Sequence, residues 1–106
     1  DMVIVSGFKV FSKKVEEVLA EHPAVGMVAI VGIANPLRPG SELVKACIQK
    51  APGFAFEGGD EALKADIVRF AKEKLAPYEV PKEIEFLEAL PLTTVGKIDK
   101  KQLRKR

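Results

Sequence analysis

Apolar positions change rhythm along this chain, and each rhythm implies an element. Residues 2–5 and 8–11 are short apolar runs around Ser6-Gly7, the pattern of a tight β-hairpin or a bent strand pair in which glycine supplies the turn. Val15, Val18, Leu19 and His22 then recur at i, i+3, i+4 and i+7, one stripe of a helix. Ser12 is its expected N-cap and Glu21 its approximate end. Residues 25–33 are nearly continuous apolar, which reads as a central strand covered on both faces. Residues 35–40 are a loop by composition. From Leu43 to Gln49 the pattern alternates, with Val44, Ala46 and Ile48 on one face and Lys45, Cys47 and Gln49 on a wetter one.

Asp60 is placed to cap a second helix reaching about Leu75, with Leu63, Ile67, Phe70, Ala71 and Lys74 along one face. Pro77 and Pro81 make residues 76–81 a rigid connector in which Tyr78 packs. Ile84 and Phe86 alternate with Glu83 and Glu85 as a third strand. A loop and a short helix anchored by Ile98 and Leu103 close the chain. The expected fold is α+β: a small three-stranded sheet with helices packed on it, plus a short N-terminal β-hairpin. The two strands joined by the proline-rich turn should be antiparallel.

With 106 residues, the chain supports one domain and one modest core. Apolar residues at 47% and charged residues at 30% fit a folded globular chain rather than a disordered one. No apolar run approaches the roughly 20 residues needed to span a bilayer, and nothing reads as a signal peptide. The abrupt start at Asp1 reads as an excised domain. Cys47 is the single cysteine, expected as a buried core thiol in a reducing, cytoplasmic setting, with peripheral membrane contact left open. Net charge is +2, yet residues 97–106 carry six cations and one anion, so the remainder is net negative. No aromatic interleaves with that basic end, so nucleic-acid binding is not expected.

Chemistry concentrates in Leu90-Pro91-Leu92-Thr93-Thr94-Val95-Gly96-Lys97-Ile98. Pro91 fixes its own φ, Thr93 and Thr94 offer hydroxyls for turn formation, and Gly96 admits backbone angles that other residues avoid. Lys97 therefore falls at a loop tip, as a hydrated point charge with three donors suited to a phosphate or carboxylate. The plainer alternative is a solvated basic tail. The chain otherwise lacks a self-sufficient site: it has no Ser-His-Asp set, no Cys/His metal spacing, and one histidine. Gly53, Gly58 and Gly59 lack phosphate-loop spacing.

Pro91-Leu92-Thr93-Thr94-Val95-Gly96-Lys97, with Leu103-Arg104 following, resembles the last signature of the adenylate-forming enzymes: acyl-CoA synthetases, luciferases and peptide-synthetase adenylation domains. Asp1-Met2-Val3-Ile4-Val5-Ser6-Gly7-Phe8-Lys9-Val10 resembles the segment joining the large and small domains in the acyl-CoA synthetases. Ala76-Pro77-Tyr78-Glu79-Val80-Pro81-Lys82 is a further match. Lys13-Lys14 departs from the proline and acid usual in the family there. The resemblance covers nearly the whole chain and is closest to fatty-acid-CoA ligases.

It implies the C-terminal lid of an AMP-forming, long-chain fatty-acid-CoA ligase, inactive alone, whose partner is a large N-terminal domain. Lys97 would be the catalytic adenylation lysine, supported by Thr93, Thr94 and Gly96. Asp1 would be the hinge, and Ser6, Gly7 and Phe8 would line the CoA tunnel. Fatty acid, ATP and CoA would be substrates, with Mg bound by the complete enzyme rather than by this domain. Arg38 could touch a nucleotide phosphate or simply be solvated. One competing reading is a non-enzymatic α/β binding module that docks through its basic C-terminal segment. Another keeps the superfamily but takes a luciferase or a carrier-loading domain as parent, with Phe8 and Ser6-Gly7 leaning against the carrier-loading case.

Overall fold

The computed structural model describes residues 2–106, so the expected hinge at Asp1 lies outside the described residues. Strands β1 (Met2–Val5) and β2 (Phe8–Phe11) pair antiparallel, with Val5 opposite Phe8 at the turn. Ser6 at φ 49° and Gly7 at φ 87° both occupy the left-handed region, as the favoured two-residue hairpin turn requires.

Strand β2 runs without a loop into α1 (Ser12–Leu19). That continuity overturns the expected cap. Phe11, still extended at φ −87° and ψ 115°, holds the N-cap position, and Ser12 is already helical. The Ser12 hydroxyl is buried without a hydrogen-bond partner among the described residues. Val15 and Leu19 are fully buried, as the stripe predicts. His22 is buried in the turn that follows. Its Nδ1 accepts the Ala24 N–H at 3.0 Å, so the proton sits on Nε2 and is donated to Asp66 at 2.7 Å.

The sheet contains β3 (Val25–Ala34), β4 (Glu42–Lys50) and β5 (Glu83–Phe86) in the order β3-β4-β5. β3 and β4 are antiparallel; β4 and β5 are parallel, joined through α2 (Gly59–Lys74). The continuous apolar run at 25–33 is thus an edge strand, and the alternating one is central. Both faces of β3 are nonetheless covered, which is what its composition reports. Its edge is met by Glu16, whose Oε2 accepts the Ile30 N–H at 2.8 Å.

The expected wet face of β4 is also dry: Lys45 and Cys47 are buried. The chain after β5 folds back over that face and ends in α3 (Lys100–Arg104). Two cores result. Val44, Ala46 and Ile48 face the hairpin, α1 and α2, with Val3, Val10, Val15 and Ile67. Ala29, Val31 and Cys47 face the other way, under Leu90, Ile98 and Leu103. Burial pushes the Cys47 thiol up, against the opposing pull of Lys45.

Asp60 is not the cap of α2 either. Gly58, at φ 101°, takes that position, while Asp60 lies in the first turn and pairs with Lys50 at 2.6 Å. A one-turn 3-10 segment, Pro77–Glu79, forms the connector to β5. No helix among the described residues is long and apolar enough to cross a membrane.

Candidate functional site

The loop bearing Lys97 is a small hairpin of its own. Leu92 and Ile98 form an antiparallel bridge. The Thr93 carbonyl accepts the Gly96 N–H at 3.0 Å, and the Thr93 N–H donates to the Lys97 carbonyl at 2.6 Å. This is the three-residue hairpin loop in which a turn is followed by a residue in the left-handed region. Gly96 fills that role at φ 85°. The Thr93 hydroxyl accepts the Lys97 N–H at 3.3 Å, so Thr93 alone satisfies three positions of the loop. The Asp99 N–H closes its base on the Pro91 carbonyl at 2.7 Å.

The expected tip position is corrected: Thr94, Val95 and Gly96 form the tip, and Lys97 closes the loop opposite Thr93, one residue past it. Lys97 is exposed there, and among the described residues its ammonium meets no partner. Thr94 is exposed, and its hydroxyl makes no bond among the described residues. Leu92 and Val95 are exposed apolar side chains of the loop, Val95 at 77%. An open groove of about 510 Å³ beside the loop is lined by Thr93, Asp99, Lys101 and Arg104.

At the first hairpin, the Ser6 N–H donates to the Ser41 hydroxyl at 2.9 Å, and the Ser6 hydroxyl accepts from Arg38 Nη1 at 2.8 Å. The Ile4 N–H donates to Glu42 Oε1 at 3.0 Å. The turn is therefore pinned to the loop between β3 and β4, which offsets the strain of Ser6 at positive φ. Arg38 is thus brought to the hairpin tip. No local pattern announces that contact, because the partners are 32 residues apart.

Phe8 is 55% exposed and stacks on Tyr78 with ring centroids 4.6 Å apart. The connector carrying Tyr78 is fixed through Glu79, which accepts the Ala76 N–H and pairs with Lys14, each at 2.9 Å. Burial opposes ionisation of Glu79, but Lys14 and the Ala76 amide outweigh it and hold the carboxyl below its usual range. So the sequence-predicted residues fall into two groups. Ser6, Gly7 and Phe8 gather with Arg38 and Tyr78 on the face of the first core. Thr93, Thr94, Gly96 and Lys97 belong to the segment covering the opposite face. Among the described residues, no three His, Cys, Asp or Glu side chains cluster to hold a metal.

Human acyl-coenzyme A synthetase ACSM1, mitochondrial, is 40% identical over the whole chain, which spans 18% of that protein. Medium/long-chain-fatty-acid–CoA ligase FadD8 of Mycobacterium tuberculosis is 36% identical over the same span, again 18% of its length. Among solved structures, Brucella canis acyl-CoA synthetase superposes over 99% of this chain and 18% of its own, with TM-score 0.87 and 37% identity. An anthranilate CoA ligase in complex with anthranoyl-AMP superposes with TM-score 0.85, also at 37% identity, over 99% of this chain and 19% of its own. The profile of the AMP-binding enzyme C-terminal domain matches residues 14–97, so the chain belongs to that family, with acyl-CoA synthetases as its relatives.

Proposed function

We propose that this chain is the mobile C-terminal lid of an ATP-dependent, AMP-forming ligase that joins a fatty acid to CoA. The observation that carries the reading is Lys97: an exposed ammonium without a partner among the described residues, held where a hydrogen-bonded loop closes on Thr93.

In the first half-reaction, the fatty-acid carboxylate attacks the α-phosphate of ATP, giving acyl-adenylate and pyrophosphate. Negative charge accumulates between the two groups as they approach. The Lys97 ammonium, brought in by the closing lid, offsets that charge in a water-poor site where electrostatics are strong. Thr93 and Gly96 keep the loop in shape, and Thr94 completes its exposed turn. The lid then swings about Asp1. Lys97 withdraws, and Ser6, Gly7 and Phe8 come to line the path of the CoA thiol, which attacks the acyl carbonyl and releases AMP. Placement of the two groups on opposite sheet faces supports alternate presentation of each. Arg38, beside Ser6, is available there for a phosphate of the incoming nucleotide.

The substrate class, a long-chain fatty acid, follows the resemblance; the mycobacterial relative is a medium/long-chain-fatty-acid–CoA ligase. Magnesium is assigned to the large domain. The buried, unpaired thiol of Cys47 supports a reducing compartment. The cytoplasm is proposed, with peripheral membrane contact for a lipid-like substrate; the mitochondrial label belongs to the relatives that carry it. The docking-module reading is weakened at the basic end, where two of the six cations, Lys100 and Arg106, pair with Glu16 and Glu85 of the same fold.

The test is ATP–pyrophosphate exchange and acyl-CoA formation by the protein carrying this domain with its large domain, across fatty acids of increasing length. Exchange that requires a fatty acid is the expected result, with long chains preferred. Absence of exchange with every acid, alongside salt-sensitive binding of a partner through residues 97–106, would replace this reading with the docking module.

A further inference from the structure

Helix α3 is only five residues long, too short to hold its own shape in water. It begins three residues after Lys97, and Asp99 belongs to both structures. The Asp99 amide closes the loop, and its carboxylate accepts the Gln102 N–H at the helix start. The bearing of Lys97 relative to the sheet is therefore set by how α3 is seated. Leu103 seats it in the second core, but one buried side chain is a pivot, and the bearing about it is set by other contacts.

Charge pairs lie on either side of that pivot. At the helix start, Lys100 Nζ is 2.9 Å from Glu16 Oε2 of α1, the oxygen that also takes the Ile30 amide of the sheet edge. Beyond its end, Arg106 places Nε and Nη2 at 2.8 and 2.5 Å from Glu85 Oε2. The other oxygen of Glu85 is held at 2.9 Å by Lys45, itself buried in the central strand. Fully exposed pairs contribute little because both side chains must be immobilised. Here each carboxylate is already fixed by a second partner, and Glu16 and Lys100 are only 24% and 20% exposed.

We propose that the Glu16–Lys100 and Glu85–Arg106 pairs form a two-point clamp that fixes the bearing of α3 and thereby positions Lys97 for adenylation. Glu16 and Glu85 are positioning residues that act through α3. Because α1 continues directly from β2, the Glu16 side of the clamp also joins the CoA-facing hairpin and the lysine loop into one rigid body. The catalytic consequence rests on the adenylation role proposed for Lys97; the structural consequence does not.

Two variants isolate the pairs without disturbing the core. Glu16→Gln keeps an acceptor for the Ile30 amide but loses the charge facing Lys100. Arg106→Gln leaves Lys45 and Glu85 in contact. In the double variant, amide exchange at Thr93 and Asp99 should quicken by at least about tenfold, while Ala46 in β4 is unchanged. Unchanged exchange at Thr93 and Asp99 overturns the clamp, whatever the activity. In the complete enzyme, the double variant should slow adenylate formation about tenfold and leave thioester formation from supplied acyl-adenylate intact. On a Lys97→Ala background it should cost nothing further. Equal slowing of both steps, or an undiminished loss on that background, overturns the positioning role. If Lys97→Ala alone leaves adenylate formation intact, the reading of Lys97 fails, and amide exchange still decides the clamp.

Discussion

The role proposed for Lys97 depends on what its neighbours do not provide: no carboxylate among the described residues competes for its charge. Acetylation would remove that charge while leaving the loop's backbone bonds in place. Pyrophosphate exchange should then fall and thermal stability hold; normal exchange by the acetylated enzyme would count against the assigned role. Gly96 tests the loop itself. A Cβ there meets nothing within 4 Å, so Gly96→Ala is opposed by backbone conformation alone, at φ 85°. It should destabilise the loop by about 1–2 kcal/mol and slow adenylation, as melting and pyrophosphate-exchange assays would show.

Glu85 gives a pH signature. The Arg106 guanidinium, with help from Lys45 against burial, holds its carboxyl down at about 2. A carboxylate depressed on folding stabilises above its unfolded pKa, 4.5 for a free glutamate, and loses that contribution as pH falls towards 2. Arg106→Gln should therefore move acid unfolding to higher pH. An acid midpoint identical to that of the parent chain would show that the pair does not contribute.

Elements that obey local rules were legible in the sequence, and those decided by distant chain were not. The first hairpin follows from Ser6-Gly7 between apolar runs, and its strands lie where the pattern puts them. The Lys97 loop follows from Pro91, Thr93 and Gly96, all within seven residues of the lysine. Ser12 and Asp60 were sound capping candidates by residue type. They are not caps because β2 enters α1 without a break and because Gly58 takes the turn into α2 in a left-handed conformation. The central position of β4 and its second dry face depend on residues 87–106 folding back, which alternation within residues 43–49 cannot reveal. The stack of Phe8 on Tyr78 links the hairpin to the connector. Phe8→Ala should remove about 0.5–1.5 kcal/mol beyond buried area and impair thioester formation more than adenylation in single-turnover assays.

At the scale of the whole molecule, the sheet is a partition. One face carries the pinned hairpin with Arg38 and Tyr78, and the other carries the segment ending in Lys97, Leu103 and Arg106. In the proposed lid, these two surfaces of one small body are used in turn, which would account for residues of the family resemblance lying at both ends of so short a chain. They also account for a domain that should fold by itself, on two buried clusters, yet release no AMP from ATP and fatty acid. Activity in the isolated chain would place the acyl and nucleotide sites within it.

The most direct measurement is a single-turnover comparison of the two half-reactions in the complete enzyme with Lys97→Ala. Loss of one donor to developing charge should slow adenylate formation by about 10²–10³-fold, while thioester formation from supplied acyl-adenylate proceeds at the parent rate. Equal loss in both steps, or none in the first, would contradict the account.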